Sequence, residues 1–307
     1  LKFQVASVAS QLRKLGLKKN DCVAAFLPNC PEAIIAMLAC SSMGIIWSSC
    51  SPDFGLEGVV ERFGQINPKL LISCDGYFYN GKEINTTHVT KKIVSHIESI
   101  KNTLIVPFLE TDSKNTLKDT ICWSNLIKDK AEIKFEALPF DHPLYILYSS
   151  GTTGSPKCIV HGAGGTLLQH LKEHVLHYDI NDQDRLFYFT TCGWMMWNWM
   201  VSGLSAGATL VIYDGSPFYD NGNILWDLAE SEKITVFGVS AKYLSAQEKA
   251  GVKPKKNYDL SSIKTVLSTG SPLAPESFDY VYREIKNDVQ LSSVSGGTDI
   301  ISCFVSG

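Results

Sequence analysis

Two periods of apolar spacing take turns along this chain. Over Lys2–Leu15, Val5, Val8, Ala9, Leu12 and Leu15 recur at helical spacing, and Gly16 supplies a stop. The apolar run CVAAFL within Asp21–Leu27, closed by Pro28-Asn29, predicts a strand. Pro31 opens the next helix, to about Met43, at the first-turn position where a missing N–H is not needed. A strand over Ile45–Ser48 follows Gly44, then a helix from Ser51-Pro52-Asp53 to about Gln65 and a strand over Lys69–Cys74. Strands that are apolar without alternation are covered on both faces, so this series predicts a parallel sheet flanked by helices.

Asp75–Asn85 reads as a turn-rich excursion around Asn80-Gly81, Thr87–Ile100 as a helix and Thr103–Phe108 as a strand. Glu110–Asp119 is polar and irregular, as surface loops are. After a linker around Glu136–Pro143 and an apolar strand over Leu144–Tyr148, the alternation resumes. Helices are expected at about Thr166–His177, Trp194–Leu204, Ile224–Glu230, Ala241–Lys249 and Ala274–Ile285. Strands are expected at Arg185–Thr190, Ala208–Tyr213, Ile234–Val239 and Ile263–Ser268, and Val289–Leu291 leads into a glycine loop. The simplest account is an α/β fold of two βα layers with mostly parallel sheets, residues 1–136 and 137–307.

The 307 residues suffice for two moderate domains with sizeable cores. With 45% apolar and 19% charged residues and a net charge of −3, nothing favours nucleic acid, and no basic run marks a membrane surface. The apolar run Ala33–Trp47 is interrupted by Ser41, Ser42 and Gly44 and is too short to span a bilayer. Nine scattered cysteines without a CxxC pair, and no signal-like start, favour a reducing cytosol. A chain that begins at Leu1 and stops within an apolar run is expected to be a piece of a longer protein.

The chemistry concentrates in Leu144–Lys157, LYILYSSGTTGSPK. A short strand leads into a loop with the hydroxyls of Ser149, Ser150, Thr152 and Thr153, the glycines Gly151 and Gly154, and Lys157. Glycines let backbone N–H groups approach an anion, hydroxyls add donors, and the lysine adds a mobile charge, which together suit polyphosphate. It is not a Walker A loop, because Pro156 separates the lysine from the last glycine. Ser268–Pro272 follows a strand and precedes a helix, which suits either an ordinary turn or a ligand contact. Ser295-Gly296-Gly297-Thr298-Asp299, taken alone, is a turn. Trp197 and Trp199, beyond Gly193-Trp194-Met195, fit a core helix or a pocket wall equally. His170, His174 and His177 share one helical face, read as solvated, with zinc as the alternative. His161 is assigned a structural role, and Gly162–Gly165 begins no βαβ unit.

Ser149–Lys157 matches, residue for residue, the [ST]-[SG]-G-[ST]-[TSE]-G-x-P-K signature of AMP-forming adenylating enzymes: acyl-CoA synthetases, luciferases and peptide-synthetase adenylation domains. The resemblance extends along essentially the whole chain. The wording of SSGTTGSPKCIVHGAGGTLLQHLKEH, GWMMWNW, YDGSP, LSTGSPL and SGGTDIISCF resembles the acetoacetate-activating branch of that family. It implies two stacked βα subdomains and an acid–thiol ligase using ATP, Mg²⁺ and coenzyme A. Ser149, Ser150, Gly151, Thr152, Thr153, Gly154 and Lys157 would hold the β- and γ-phosphates. Gly270, Ser271 and Pro272 would border adenine, and Ser295, Gly296 and Gly297 would line the nucleotide. Thr298 would reach the α-phosphate and Asp299 the Mg²⁺, with Lys157 and Thr298 as the catalytic pair. Trp194, Met195, Thr269 and Gly296 would surround the acid. One departure stands out: Ser295 and Gly296 replace the family's aromatics, which removes a stacking surface and would leave room for a longer or more polar acid. The family's ribose-binding aspartate, hinge and C-terminal lysine domain are expected beyond Gly307, and without them this chain is expected to show little turnover. The alternatives are a ligase for another short acid, such as acetate or propionate, and a truncated, non-catalytic nucleotide-binding module.

Overall fold

A computed structural model describes residues 1–109, 120–128, 130–149 and 154–307. The expected surface loop over Glu110–Asp119 lies outside the described residues. The chain divides into two compact units, Leu1–Thr166 with Thr191–Trp194, and Leu167–Thr190 with Met195–Gly307.

In the first unit the strands are β1 (Cys22–Phe26), β2 (Ile46–Cys50), β3 (Leu70–Cys74), β4 (Gly76–Tyr79), β5 (Lys82–Asn85), β6 (Asn102–Val106), β7 (Thr120–Cys122), β8 (Pro143–Tyr148) and β9 (Cys158–Gly162). Seven of them form one sheet in the order β7-β6-β3-β1-β2-β8-β9, parallel except for β9. The apolar runs are where they are because both faces are covered: Phe26, Phe63, Leu71 and Ile93 meet in one core cluster beneath the helices Gly55–Phe63 and Thr87–His96. The turn-rich excursion is a hairpin, β4 against β5. Asn80 at φ 50° and Gly81 at φ 75° make its two-residue turn, the backbone conformation for which Asn-Gly is suited.

Strand β8, expected to open the second subdomain after residue 136, pairs in parallel with β2 at Trp47 and Tyr145. Then β9, which no alternation marked, returns antiparallel to it, with Tyr148 opposite Cys158. Both strands therefore extend the first sheet, and the first unit runs to Thr166 rather than ending near 136.

The second unit holds β10 (Arg185–Tyr188), β11 (Thr209–Val211), β12 (Val236–Ser240), β13 (Thr265–Thr269) and β14 (Gln290–Ser293), all parallel, in the order β11-β10-β12-β13-β14. Its core centres on Phe187, Trp226, Phe237, Tyr243 and Val266, with Trp226 stacked on Phe237 at 4.9 Å between ring centroids. The expected helix over Thr166–His177 is α-helical from Ala163 to Leu171 and widens to a π-helix over Lys172–His177. The expected glycine loop is a second hairpin, β15 (Ser295–Gly297) against β16 (Ser302–Val305), with the turn between them. Trp197 and Trp199 are buried in the helix Met195–Ser202, so the core reading holds for both.

Candidate functional site

Parallel sheets present ligands at the carboxyl ends of their strands. In the first unit the ends of the adjacent strands β1, β2 and β8 are Phe26, Cys50 and Tyr148, and the phosphate-loop sequence begins directly after the last. Residues 149–157 connect β8 to β9, and the Ser149 N–H donates to the Lys157 carbonyl at 3.0 Å, closing the base of the loop. Ser150, Gly151, Thr152 and Thr153 lie outside the described residues. Gly154 and Lys157 are exposed, and a side chain at Gly154 would meet nothing within 4 Å.

Three groups at the loop's base were not legible in the sequence. The Gln65 side-chain amide donates to the Pro156 carbonyl at 2.9 Å, and the Cys158 thiol donates to the Gln65 amide oxygen at 3.5 Å. The Arg62 guanidinium lies 4.7 Å from the Phe54 ring centre and 5.8 Å from that of Tyr148, a cation held over two aromatic faces beside the start of the loop. Burial pushes the Tyr148 hydroxyl far above the usual phenol range, and it pairs with the Ser48 hydroxyl at 3.0 Å. An arginine and a glutamine on one predicted helix look like solvent-facing residues until β9 brings the loop beside them.

The segment Thr191–Trp194 is fastened over the same strand ends. The Cys192 carbonyl accepts from the Ser49 hydroxyl at 2.6 Å, and the Cys192 thiol donates to the Leu27 carbonyl at 2.8 Å. Gly193 is required there, since a Cβ would come within 2.7 Å of the Phe54 ring and 3.3 Å of the Ser51 nitrogen. Trp194 is exposed, with its ring 6.0 Å from that of Phe54. Met195 opens a helix of the second unit and is half-buried.

In the second unit the ends of β13 and β14 bring two of the expected elements together. The Val294 N–H donates to the Ser268 carbonyl at 2.7 Å, the Thr269 hydroxyl donates to the Val294 carbonyl at 2.8 Å, and the Leu273 N–H donates to the Ser293 hydroxyl at 3.2 Å. Gly270, Ser271 and Pro272 are thus exposed at one edge beside the start of β15, with Gly270 at φ 90°. Ser295 and Gly296 are exposed, Gly297 and Thr298 half-exposed, and Asp299 stands exposed in the turn of the hairpin. An exposed carboxylate beside a hydroxyl is a hard-oxygen donor set that fits Mg²⁺ carrying phosphates.

Gly296 has a local cause. A Cβ there would lie 2.0 Å from the Ser302 carbonyl oxygen and 2.6 Å from the Cys303 Cα, so the glycine is what lets β15 approach β16. The direction its side chain would take is occupied by its own hairpin.

The histidine face differs from expectation. His170 and His174 are fully buried and only His177 is half-exposed. His170 Nε2 donates to the Ile301 carbonyl at 2.9 Å, and His174 Nε2 donates to the Trp199 carbonyl at 3.0 Å. Backbone carbonyls take Nε2 of both rings, and among the described residues no group of three or more His, Cys, Asp or Glu is arranged to hold a metal. His161 is buried in the first unit, its ring edge-on to Tyr145. Among the described residues no helix is long and apolar enough to cross a membrane.

Comparison with known proteins accords with this architecture. Acetoacetyl-coenzyme A synthetase of Rhizobium meliloti is 54% identical over 311 residues, covering all of this chain and 48% of that protein. The acetoacetyl-CoA synthetase of Mus musculus is 49% identical, covering 99% of this chain and 47% of its own length. A malonamoyl-CoA synthetase of Penicillium aethiopicum is 42% identical, over 99% of this chain and 45% of its own. The solved acetoacetyl-CoA synthetase of Streptomyces lividans superposes with a TM-score of 0.95 at 45% identity, over 99% of this chain and 47% of that one. The chain thus spans about half the length of the curated relatives it matches. A family model described as AMP-binding enzyme matches residues 1–306, and the chain belongs to that family.

Proposed function

We propose that this chain is the nucleotide- and acid-binding part of an acid–thiol ligase that activates acetoacetate with ATP and passes it to coenzyme A. The observation that carries the reading is likeness along the entire chain to proteins named acetoacetyl-CoA synthetase, at 54% and 49% identity. The carboxylate attacks the α-phosphate of ATP, forming the acyl-adenylate and releasing diphosphate. The coenzyme A thiol then displaces AMP to give acetoacetyl-CoA. This chain has to orient the reactants and offset the charge spread over the phosphoryl oxygens. Ser149–Gly154 and Lys157 hold the terminal phosphates, and Thr298 donates to the α-phosphate. Gly270, Ser271 and Pro272 border the base, and Ser295–Gly297 continue the cradle. The family resemblance assigns Trp194, Met195, Thr269 and Gly296 each to the acid. Asp299 would hold Mg²⁺, which when bound neutralises phosphate charge. None of the nine cysteines is in a disulfide, which supports a cytosolic setting.

The likeness to a malonamoyl-CoA synthetase favours a second reading. Malonamate, like acetoacetate, carries a carbonyl group β to the carboxylate, and the polar end differs only in amide against methyl. ATP–diphosphate exchange by the full-length protein with acetoacetate, malonamate, acetate and propionate separates these. Exchange greatest with acetoacetate supports the proposal, and exchange with acetate but none with acetoacetate refutes it.

A further inference from the structure

The helix that leaves the phosphate-loop segment carries His170, Glu173 and His174 on one face, and its last turns widen into a π-helix, a rare geometry often found at functional sites. Glu173 is only 3% exposed. Its Oε1 accepts from the Ser302 hydroxyl at 2.5 Å, the Gln169 side-chain amide at 2.9 Å, the Cys303 N–H at 3.2 Å and the Cys303 thiol at 3.3 Å. Its Oε2 accepts from the Trp199 indole N–H at 2.8 Å. Gln169 also donates to the Ser302 hydroxyl. His170 Nε2 donates to the Ile301 carbonyl, and the Ser202 hydroxyl lies 2.9 Å from His170 Nδ1. Three successive residues, Ile301, Ser302 and Cys303, are therefore gripped by two buried side chains. Ile301 closes the turn that bears Thr298 and Asp299, its N–H donating to the Thr298 carbonyl at 3.2 Å, and Ser302 and Cys303 directly follow it.

Two features mark this arrangement as more than packing. Among the described residues no lysine or arginine pairs with Glu173, so a buried carboxylate is held by neutral donors alone. An apolar cluster would fasten a hairpin with less desolvation, whereas directional bonds to a carboxylate fix position. Moreover, Ile301 has φ 51°, a conformation strained for a β-branched residue, and its carbonyl is the one His170 holds. The turn is kept in a shape it would not adopt unassisted.

We propose that Glu173, with His170, is the positioning centre that sets the Thr298–Asp299 turn against magnesium-bound nucleotide. This rests on the nucleotide reading of that turn given above. Neither side chain needs to touch the ligand; both act through Ile301, Ser302 and Cys303.

The test uses the full-length protein with Ser302→Ala, which removes one donor, and Glu173→Gln, whose amide places an N–H against a donor. MgATP binding is measured by calorimetry, KM values by ATP–diphosphate exchange, and folding by thermal unfolding. MgATP affinity is expected to weaken about tenfold in Ser302→Ala, the size of one charge-assisted hydrogen bond, with the Mg²⁺ dependence moved to higher concentration. The KM for the acid at saturating MgATP should stay within about twofold. Folded Ser302→Ala protein with wild-type MgATP affinity and Mg²⁺ dependence would overturn the proposal, and should Glu173→Gln fail to fold, Ser302→Ala alone decides. If the wild type binds MgATP but shows no acid-dependent exchange, the proposed reaction fails, and the affinity difference still supports the positioning role. A wild type that binds no MgATP overturns both.

Discussion

Replacing Gly296 by alanine tests the second hairpin directly. The new Cβ would sit 2.0 Å from the Ser302 carbonyl oxygen and 2.6 Å from the Cys303 Cα, both backbone atoms that cannot rotate away. Restoring ordinary contact needs the two strands to part by more than an ångström. The bonds from Ser302 and Cys303 to Glu173, at 2.5, 3.2 and 3.3 Å, do not survive such a displacement. Hydrogen bonds to charged groups contribute about 1.5–3 kcal/mol each, so losing two lowers local stability by roughly 3–6 kcal/mol. Hydrogen exchange followed by mass spectrometry over 295–305 reads this locally, and the lower bound corresponds to at least about a hundredfold loss of protection. Unchanged protection in Gly296→Ala would refute the reasoning. It would also favour the other role for this glycine, space for the acid, in which case the alanine variant should shift preference toward shorter acids without loosening the hairpin.

Lys157→Ala should lower the rate of adenylate formation by about a hundredfold, the scale of losing one charge-stabilising group, while the exposed side chain leaves the unfolding temperature unchanged. Stopped-flow or exchange kinetics with paired thermal scans check both halves. Trp199→Phe keeps most of the buried ring but leaves Glu173 Oε2 without its donor, so urea unfolding should report a loss of about 1–3 kcal/mol. Burial, with His170 adding to it, holds the His174 imidazole down at about 3, so it is neutral in the folded protein at pH values where the unfolded chain, near 6.5, is protonated. Stability should therefore fall as pH drops from about 6.5 toward 3, with Glu173 and His170 the titratable neighbours facing it, and His174→Gln should flatten the slope in urea unfolding between pH 7.5 and 5. Burial opposes ionisation of Glu173, but bonds from Ser302, Gln169 and Cys303 outweigh it and hold its carboxyl below the ordinary value. That contribution persists above pH 4.5 and is lost in stronger acid, where it adds to the His174 effect but lies outside the pH 7.5–5 range of the measurement.

Much of the fold was written in the chain's local pattern. The helix over Ala241–Lys249 has the expected bounds, because Ser240 caps it by accepting from the Tyr243 N–H at 3.1 Å and apolar positions recur along one face. Strand β3 is fully buried and continuously apolar, so its burial and its sequence say the same thing. The phosphate-loop sequence, its strand and the two later turns were likewise legible, since glycines, hydroxyls and proline act over a few residues. The tertiary structure alone decided what depends on partners far along the chain. Strand β9, with its mixed pattern CIVHG, becomes a strand only because β8 offers an open edge, and that pairing carries the division of the chain past 136. At Gly296, taken from the sequence as room for an acid, a Cβ would meet the carbonyl of Ser302 in its own hairpin. The face of His170 and His174, which helical spacing alone assigns to solvent, is buried because Glu173 and the hairpin from Ile301 onward close over it. Local propensity fixes which residues form an element and which loops can approach an anion. Which polar side chain ends in the core, and what it holds there, follows from contacts more than a hundred residues apart in sequence.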